Sequence, residues 1–119
     1  MTGIGATPAE DVFGRVIPRI NGTVVELHGD LDLATIDMLQ DCLTVGVERG
    51  GDMLVDLADV TLIDGAALSV LVRAGRVAQR RGQRVQLMAP SLFVRRILAA
   101  AELGEAFPVI DDPKTPAPT

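Results

Sequence analysis

Two hydrophobic periods alternate along the chain, and their order predicts the elements. "VFGRVIPRI" and "TVVELHG" are apolar runs rich in β-branched residues, separated by Asn21-Gly22. Asn-Gly between such runs is the strongest short hairpin signal and predicts two antiparallel strands joined by a type I′ turn. Pro18 has no N–H to give to a ladder, which places the first strand at a sheet edge. The period then lengthens. Ile36, Leu39, Leu43 and Val47 recur at helical spacing with Met38, Cys42 and Val45 beside them, predicting a helix from about Thr35 to Arg49. Thr35 reads as its N-cap and Gly50-Gly51 as its stop. "MLVDL" reads as a short buried strand.

A second change of period falls inside "VTLIDGAALSVL", residues 60–71. An apolar run stops at Asp64, three small residues follow, and a helix is predicted from Gly65 to about Arg81. Leu68, Leu71, Val72 and Ala78 should form its inner side, with Gly82 ending it. Asp64 is a good N-cap, because its carboxylate accepts the unpaired N–H groups of a first turn. Gly65, Ala66 and Ala67 would leave that turn bare, open to close approach by another molecule or to tight packing on the sheet. "RVQLMA" is a further strand, Pro90-Ser91 opens a third helix in "PSLFVRRILAAAEL", and "FPVI" is a last short strand.

Strands alternating with helices after a hairpin give an α/β fold. A mixed, mainly parallel sheet of about 4–5 strands should carry about 3–4 helices joined by right-handed crossovers. One domain over residues 11–112 is expected, with tails at 1–10 and at the Pro-rich 113–119, and no internal repeat. A length of 119 residues suits one core.

Composition narrows the function. Aromatics make up 3% of the chain with no Trp or Tyr, so the core is aliphatic and no platform exists for stacking bases. The formal net charge of −5 argues against non-specific binding to nucleic acid or anionic membranes, both of which need a basic surface. A small basic patch for a protein partner stays possible. No apolar run approaches the ~20 residues that span a bilayer, and "MTGIGATPAED" lacks the pattern of a secretory leader, so membrane insertion is not expected and a cytoplasmic location is.

Candidate chemistry is sparse. His28 is the only histidine and falls on the outward side of its strand; Cys42, the only cysteine, falls on the apolar side of its helix, where a thiol is normally inert. Neither a usual zinc set nor a Gly-rich phosphate loop is present, so no enzyme activity, metal or cofactor is expected. Asp30, Asp32 and Asp64 all fall at strand-to-helix junctions, where they can act as caps and turn residues or gather a divalent cation. Ser69, Arg73, Arg76 and Arg80 are spaced i, i+4, i+7, i+11 along one helix stripe. In an acidic protein such a stripe either docks an acidic partner or is a solvated face.

Three segments together resemble the STAS family, the fold of bacterial anti-anti-sigma factors: "LHGDLDLAT", "LVDLADVTLIDGAALSVL" and "VQLMAPSLFVRRILAAAELGEAFPVIDD". The resemblance covers roughly residues 12 to 112. It implies an anti-sigma factor antagonist that binds an anti-sigma factor through the front of the second helix. The expected contact set is Asp32, Asp64, Gly65, Ala66, Ala67, Leu68, Ser69, Arg73 and Arg76. In the family a Ser commonly follows the hallmark Asp, and the anti-sigma factor, a serine kinase, phosphorylates it to break the complex. Here the hallmark Asp is Asp64 and the next position is Gly65, which carries no hydroxyl. Thr61 and Ser69 are the nearest alternative acceptors, and neither occupies the family position. Two other readings fit the same fold: an adaptor subunit of a transporter or signalling complex, and a small-ligand or nucleotide sensor at the bare helix end. The identity of the partner and the oligomeric state are not encoded in these motifs.

Overall fold

The computed structural model describes residues 14–101 and 107–111. The tails expected at 1–10 and 113–119, and the Leu-Gly turn after the third helix, lie outside the described residues. Strands β1 (Gly14–Arg19), β2 (Gly22–Leu31), β3 (Asp52–Ile63), β4 (Val85–Met88) and β5 (Val109–Ile110) form one sheet in the order 1-2-3-4-5. Helices α1 (Ile36–Arg49), α2 (Gly65–Arg80) and α3 (Leu92–Ala100) link the successive parallel pairs from β2 onward. The expected mixed, mainly parallel sheet is therefore present, with five strands and three described helices.

Strand β1 runs antiparallel to β2 at the sheet edge, where Pro18 is tolerated because its missing N–H would have faced away from the ladder. The turn itself differs from expectation. Arg19 pairs with Gly22, so the two loop residues are Ile20 and Asn21, and neither has positive φ. A type I′ turn needs positive φ at both positions, and that assignment is wrong here. Gly22 serves another purpose: a Cβ there would collide with the backbone of Asp52, where β3 begins alongside it. Ile20 is left 99% exposed at the tip.

The strand read as "MLVDL" is longer than predicted, because it continues through "VTLI" into a single twelve-residue β3. Two register shifts against β2, between Glu26 and His28 and between Gly29 and Asp30, each give β3 an extra residue. Bulges of this kind break the period-2 alternation. Buried positions accordingly run 53, 55, 57 and then 60 and 63, which hides the continuity from a pattern reading.

One face of the sheet and the inner sides of all three helices form a single aliphatic core. Val25, Leu27, Val55, Leu57 and Leu87 meet Leu39, Leu43, Leu71, Val94 and Leu98 there, with Phe107 as the one large aromatic. On α2 the stripe is rotated from the predicted one. Ala67, Val70, Leu71, Gly75 and Ala78 are buried, whereas Leu68 and Val72 lie half-buried on its flank. Met38 and Val45 of α1 are partly exposed, at 38% and 43%. Buried Thr23 is satisfied by the Arg49 guanidinium, whose Nε donates to its hydroxyl at 3.0 Å.

Between β4 and α3, Ala89 has φ +55° just before Pro90. The left-handed region costs a residue with a Cβ about 1–2 kcal/mol. Ala89→Gly should relieve it and raise stability by up to about 1 kcal/mol after the entropy of an added glycine is subtracted. Chemical denaturation of the two proteins checks this, with a less stable variant as the contrary result.

Candidate functional site

The site is assembled at the edge where β2 and β3 end. After Leu31 the chain enters a 3₁₀ turn, Leu33–Thr35, and only then α1. Asp32 caps that turn: its Oδ1 accepts the N–H groups of Ala34 at 3.0 Å and Thr35 at 3.2 Å. Thr35 Oγ1 in turn accepts the Asp32 N–H at 3.1 Å, closing a capping box. Thr35 does stand at the N-cap position of α1, but its side chain makes no cap bond there. The cap sits three residues upstream because a 3₁₀ turn intervenes.

Asp64 holds two elements with one carboxylate. Its Oδ1 accepts the Ala67 N–H at 2.9 Å, capping α2, while its Oδ2 accepts the Leu33 N–H at 3.1 Å. The Asp64 N–H donates to Leu31 O at 3.0 Å. The 3₁₀ turn and the head of α2 are thereby locked into one continuous surface. Leu33 is its apolar feature, 70% exposed. Pattern reading missed it. The available signal was a Leu placed just behind a capping Asp, in a first turn that faces outward.

The small triplet divides into three different situations. Gly65 is exposed, its φ is not positive, and a Cβ there would meet nothing within 4 Å among the described residues. Neither backbone conformation nor packing among the described residues requires a glycine. Ala66 is half-buried. Ala67 is 0% exposed and belongs to the core, so its expected place in a partner-facing set is corrected: the side chain has no surface to offer. Leu68 leans on the core and presents only part of itself.

Ser69, Arg73, Arg76 and Arg80 are all exposed, as their spacing predicts. With a rise of about 1.5 Å per residue, Arg73 lies roughly 12 Å along the helix from Gly65, so the stripe leads away from the bare head rather than surrounding it. Among the described residues no ion pair reaches Arg73, Arg76 or Arg80. Arg73 also borders a groove between α1 and α2 floored by Val47 and Val70.

The three aspartates do not converge on a cation. Asp30 Oδ1 accepts from the Thr61 hydroxyl at 2.6 Å, while Asp32 and Asp64 spend their oxygens on backbone N–H groups. Among the described residues no group of three His, Cys, Asp or Glu side chains is placed to hold a metal. His28 is half-buried, with Nδ1 3.3 Å from Asp59 and Nε2 3.6 Å from Glu26. Cys42 is half-buried against the core.

A hairpin-led parallel sheet with helices on one face, and a helix head built on a capping Asp, define a small class of α/β domains. The family model described as "Mlab, STAS domain" matches residues 19–111, and the chain belongs to the STAS domain family. Solved structures agree on the fold. An anti-sigma factor antagonist from Mycobacterium paratuberculosis superposes with a TM-score of 0.78, covering 92% of this chain and 93% of its own at 18% identity. The Bacillus cell fate determinant SpoIIAA, in its phosphorylated form, gives 0.66 over 83% and 90% at 16% identity. A sulfate transporter family protein from Wolinella succinogenes gives 0.68 over 84% of each chain at 21% identity. Identities this low carry the fold and nothing finer. Among curated proteins, no sequence matches the chain.

Proposed function

We propose that this protein is an anti-sigma factor antagonist, a non-enzymatic binding domain spanning residues 11–112 that engages an anti-sigma factor of the serine-kinase type and so releases a sigma factor. The observation that carries the reading is Gly65. It is an exposed glycine, required by neither φ nor packing, at a helix head held rigidly by Asp64. A surface kept bare in this way suits close approach by another backbone. Two structural neighbours are described as an anti-sigma factor antagonist and as a phosphorylated cell fate determinant, which supports the same assignment. The contact surface is Leu33, Asp32, Asp64, Gly65, Ala66, Leu68 and Ser69, continued by Arg73 and Arg76.

Control does not run through a phosphoserine at position 65. Of the two nearby hydroxyls, Thr61 already donates to Asp30, and that carboxylate would repel an added phosphate. Ser69 is exposed but lies a full turn down the helix. The antagonist would therefore stay binding-competent in the presence of its kinase. No described helix is long and apolar enough to cross a membrane, consistent with a cytoplasmic site of action.

The adaptor reading keeps one specific support, the transporter-family neighbour. A pull-down with the intact chain separates the two: recovery of a kinase-like anti-sigma factor supports the antagonist, and recovery of transporter subunits supports the adaptor. The arginine stripe gives a second test. Arg73→Glu with Arg76→Glu should leave stability within about ±0.5 kcal/mol, since both side chains are exposed. Partner affinity should fall, and its salt dependence should shrink, if the stripe meets an acidic surface. Titrations at two ionic strengths measure both, and unchanged affinity returns the stripe to a solvated face.

A further inference from the structure

Helices α1 and α2 link successive parallel strand pairs on the same face of the sheet, so they run parallel to one another and side by side. Their outer surfaces carry opposite charges at one spacing. On α1, Asp37, Asp41, Thr44 and Glu48 stand at i, i+4, i+7 and i+11; on α2, Ser69, Arg73, Arg76 and Arg80 do the same. All eight are exposed. A shallow groove separates the two ridges, floored by Val47, Val70 and Val77. Like charges three or four residues apart destabilise a helix, so neither ridge serves its own helix. Nor do the ridges serve each other: among the described residues none of the six charged side chains has an ion-pair partner.

The two ridges also stand level. Asp64 accepts the Leu33 N–H as well as the Ala67 N–H, which ties the heads of the two helical segments together. From that tie, a 3₁₀ turn rising about 2 Å per residue and then α1 at about 1.5 Å put Asp41 about 13 Å down, where α2 has Arg73. Glu48 is level with Arg80 by the same count, seven residues farther along each helix. A surface with an acidic ridge and a basic ridge of matching period is complementary to its own copy turned over about the groove.

We propose that a second copy of this chain docks on this face, forming a two-fold dimer whose axis runs along the groove, with α1 of each copy over α2 of the other. Asp41 then meets Arg73 and Glu48 meets Arg80, each pair twice, while Thr44 lies over Arg76 and Asp37 over Ser69. The other face-to-face two-fold, with its axis across the helices, sets acidic ridge on acidic ridge and is excluded by charge. The remaining charges near the face are accounted for. Arg81, at the far end of the groove, faces its own copy, with a Glu48 carboxylate from each copy beside the pair. Asp32 and Asp64 lie above the ridges and hold their carboxylates on backbone N–H groups. Arg49 is turned away, donating to Thr23 on β2. Such an interface is isologous and closes after two copies. Two helices about 10 Å apart, each giving about three turns, offer roughly 350 Å² per copy, under half of the ~800 Å² of a standard interface. The dimer should therefore be weak, on the order of 100 µM, and sensitive to salt. Ser69, Arg73 and Arg76 also belong to the contact surface proposed above, so dimer and anti-sigma factor would compete for them; that consequence rests on the antagonist reading, and the dimer itself does not.

Sedimentation velocity of the full chain, from about 10 to about 500 µM, brackets a constant of that order. At about 50 mM salt the wild type should pass reversibly from monomer to dimer, and at about 500 mM the association should weaken about tenfold or more. Asp41→Arg should weaken it about tenfold or more at low salt, Arg73→Asp likewise, and the two combined should restore it, because each charge then meets the other's replacement. Both positions are exposed, so the melting curves of all three variants should follow the wild type. A wild type that stays monomeric at low salt overturns the proposal, and the ridges are then solvated faces or the seat of a different protein. A dimer indifferent to the single reversals, or one that the double variant fails to restore, overturns it too, since its contact then lies elsewhere or in another register. No partner enters these measurements, so a failed dimer leaves the antagonist reading standing.

Discussion

Phe107→Ala should remove about 3–5 kcal/mol of stability, the cost of deleting a large buried aromatic side chain. Phe107 is 0% exposed and is the largest fully buried residue of an otherwise aliphatic core. Against a net stability of about 5–15 kcal/mol for a domain of this kind, that loss is severe. The ring also explains a glycine. A Cβ at Gly75 would stand 2.5 Å from Phe107 Cζ and 2.6 Å from Cε1, so α2 and the ring fit only because that position is bare. Gly75→Ala should therefore destabilise, by about 1–2 kcal/mol, as overpacking of about 1–3 kcal/mol outweighs the helix gain of up to about 1 kcal/mol. Gly46 offers the contrast. Its nearest neighbour is Met53 Sδ at 2.8 Å, on a flexible side chain that can turn aside, so Gly46→Ala should come out near neutral. Urea denaturation of the full chain measures all three. A Gly75→Ala variant as stable as wild type would show that the ring is free to shift, and a Phe107→Leu background should then change nothing; coupling between the two sites is the expected result.

Sequence pattern captured what depends on local chemistry. The Asp64 cap, the Ser91 cap whose hydroxyl accepts the Val94 N–H, the glycine stop after Arg49 and the edge position of Pro18 all follow from neighbouring residues. The fold class followed from the alternation of periods. What escaped depends on contacts far along the chain. Gly22 looked like a turn residue, yet its small size is set by Asp52, thirty positions on. The bulges that extend β3 arise from pairing with β2 and erase the alternation that would have revealed one strand. Ala67 looked like its two small neighbours, yet only the rotation of α2 against the core shows that it is buried while Gly65 is open. The exposure of Leu33 follows from Asp64 reaching across to its N–H, a tie between the ends of two different strands.

Gly65→Glu should separate binding from folding at the head of α2. The substitution puts a carboxylate beside Asp64, at the position that the proposed reading matches to the family's phosphorylated serine. Nothing within 4 Å obstructs a Cβ, and φ is not positive, so the backbone can accept a side chain without strain. An acidic residue in the first turn suits the helix dipole by about 0.3–1 kcal/mol, and replacing glycine lowers the entropy of the unfolded chain. Repulsion from Asp64 opposes these gains in part. The melting temperature should consequently stay level or rise slightly. Binding should behave otherwise. A charge buried without a partner at an interface costs several kcal/mol, roughly a hundredfold or more in affinity. Gly65→Ala supplies the control, since a methyl group adds little bulk and no charge; it should fold at least as well and lose far less affinity. Titration of the recovered partner against the three proteins, with melts alongside, gives the answer. A Glu variant that folds and binds like wild type would remove the head of α2 from the interface. Equal losses from Ala and Glu would show that contact there is backbone on backbone, closer than any side chain allows.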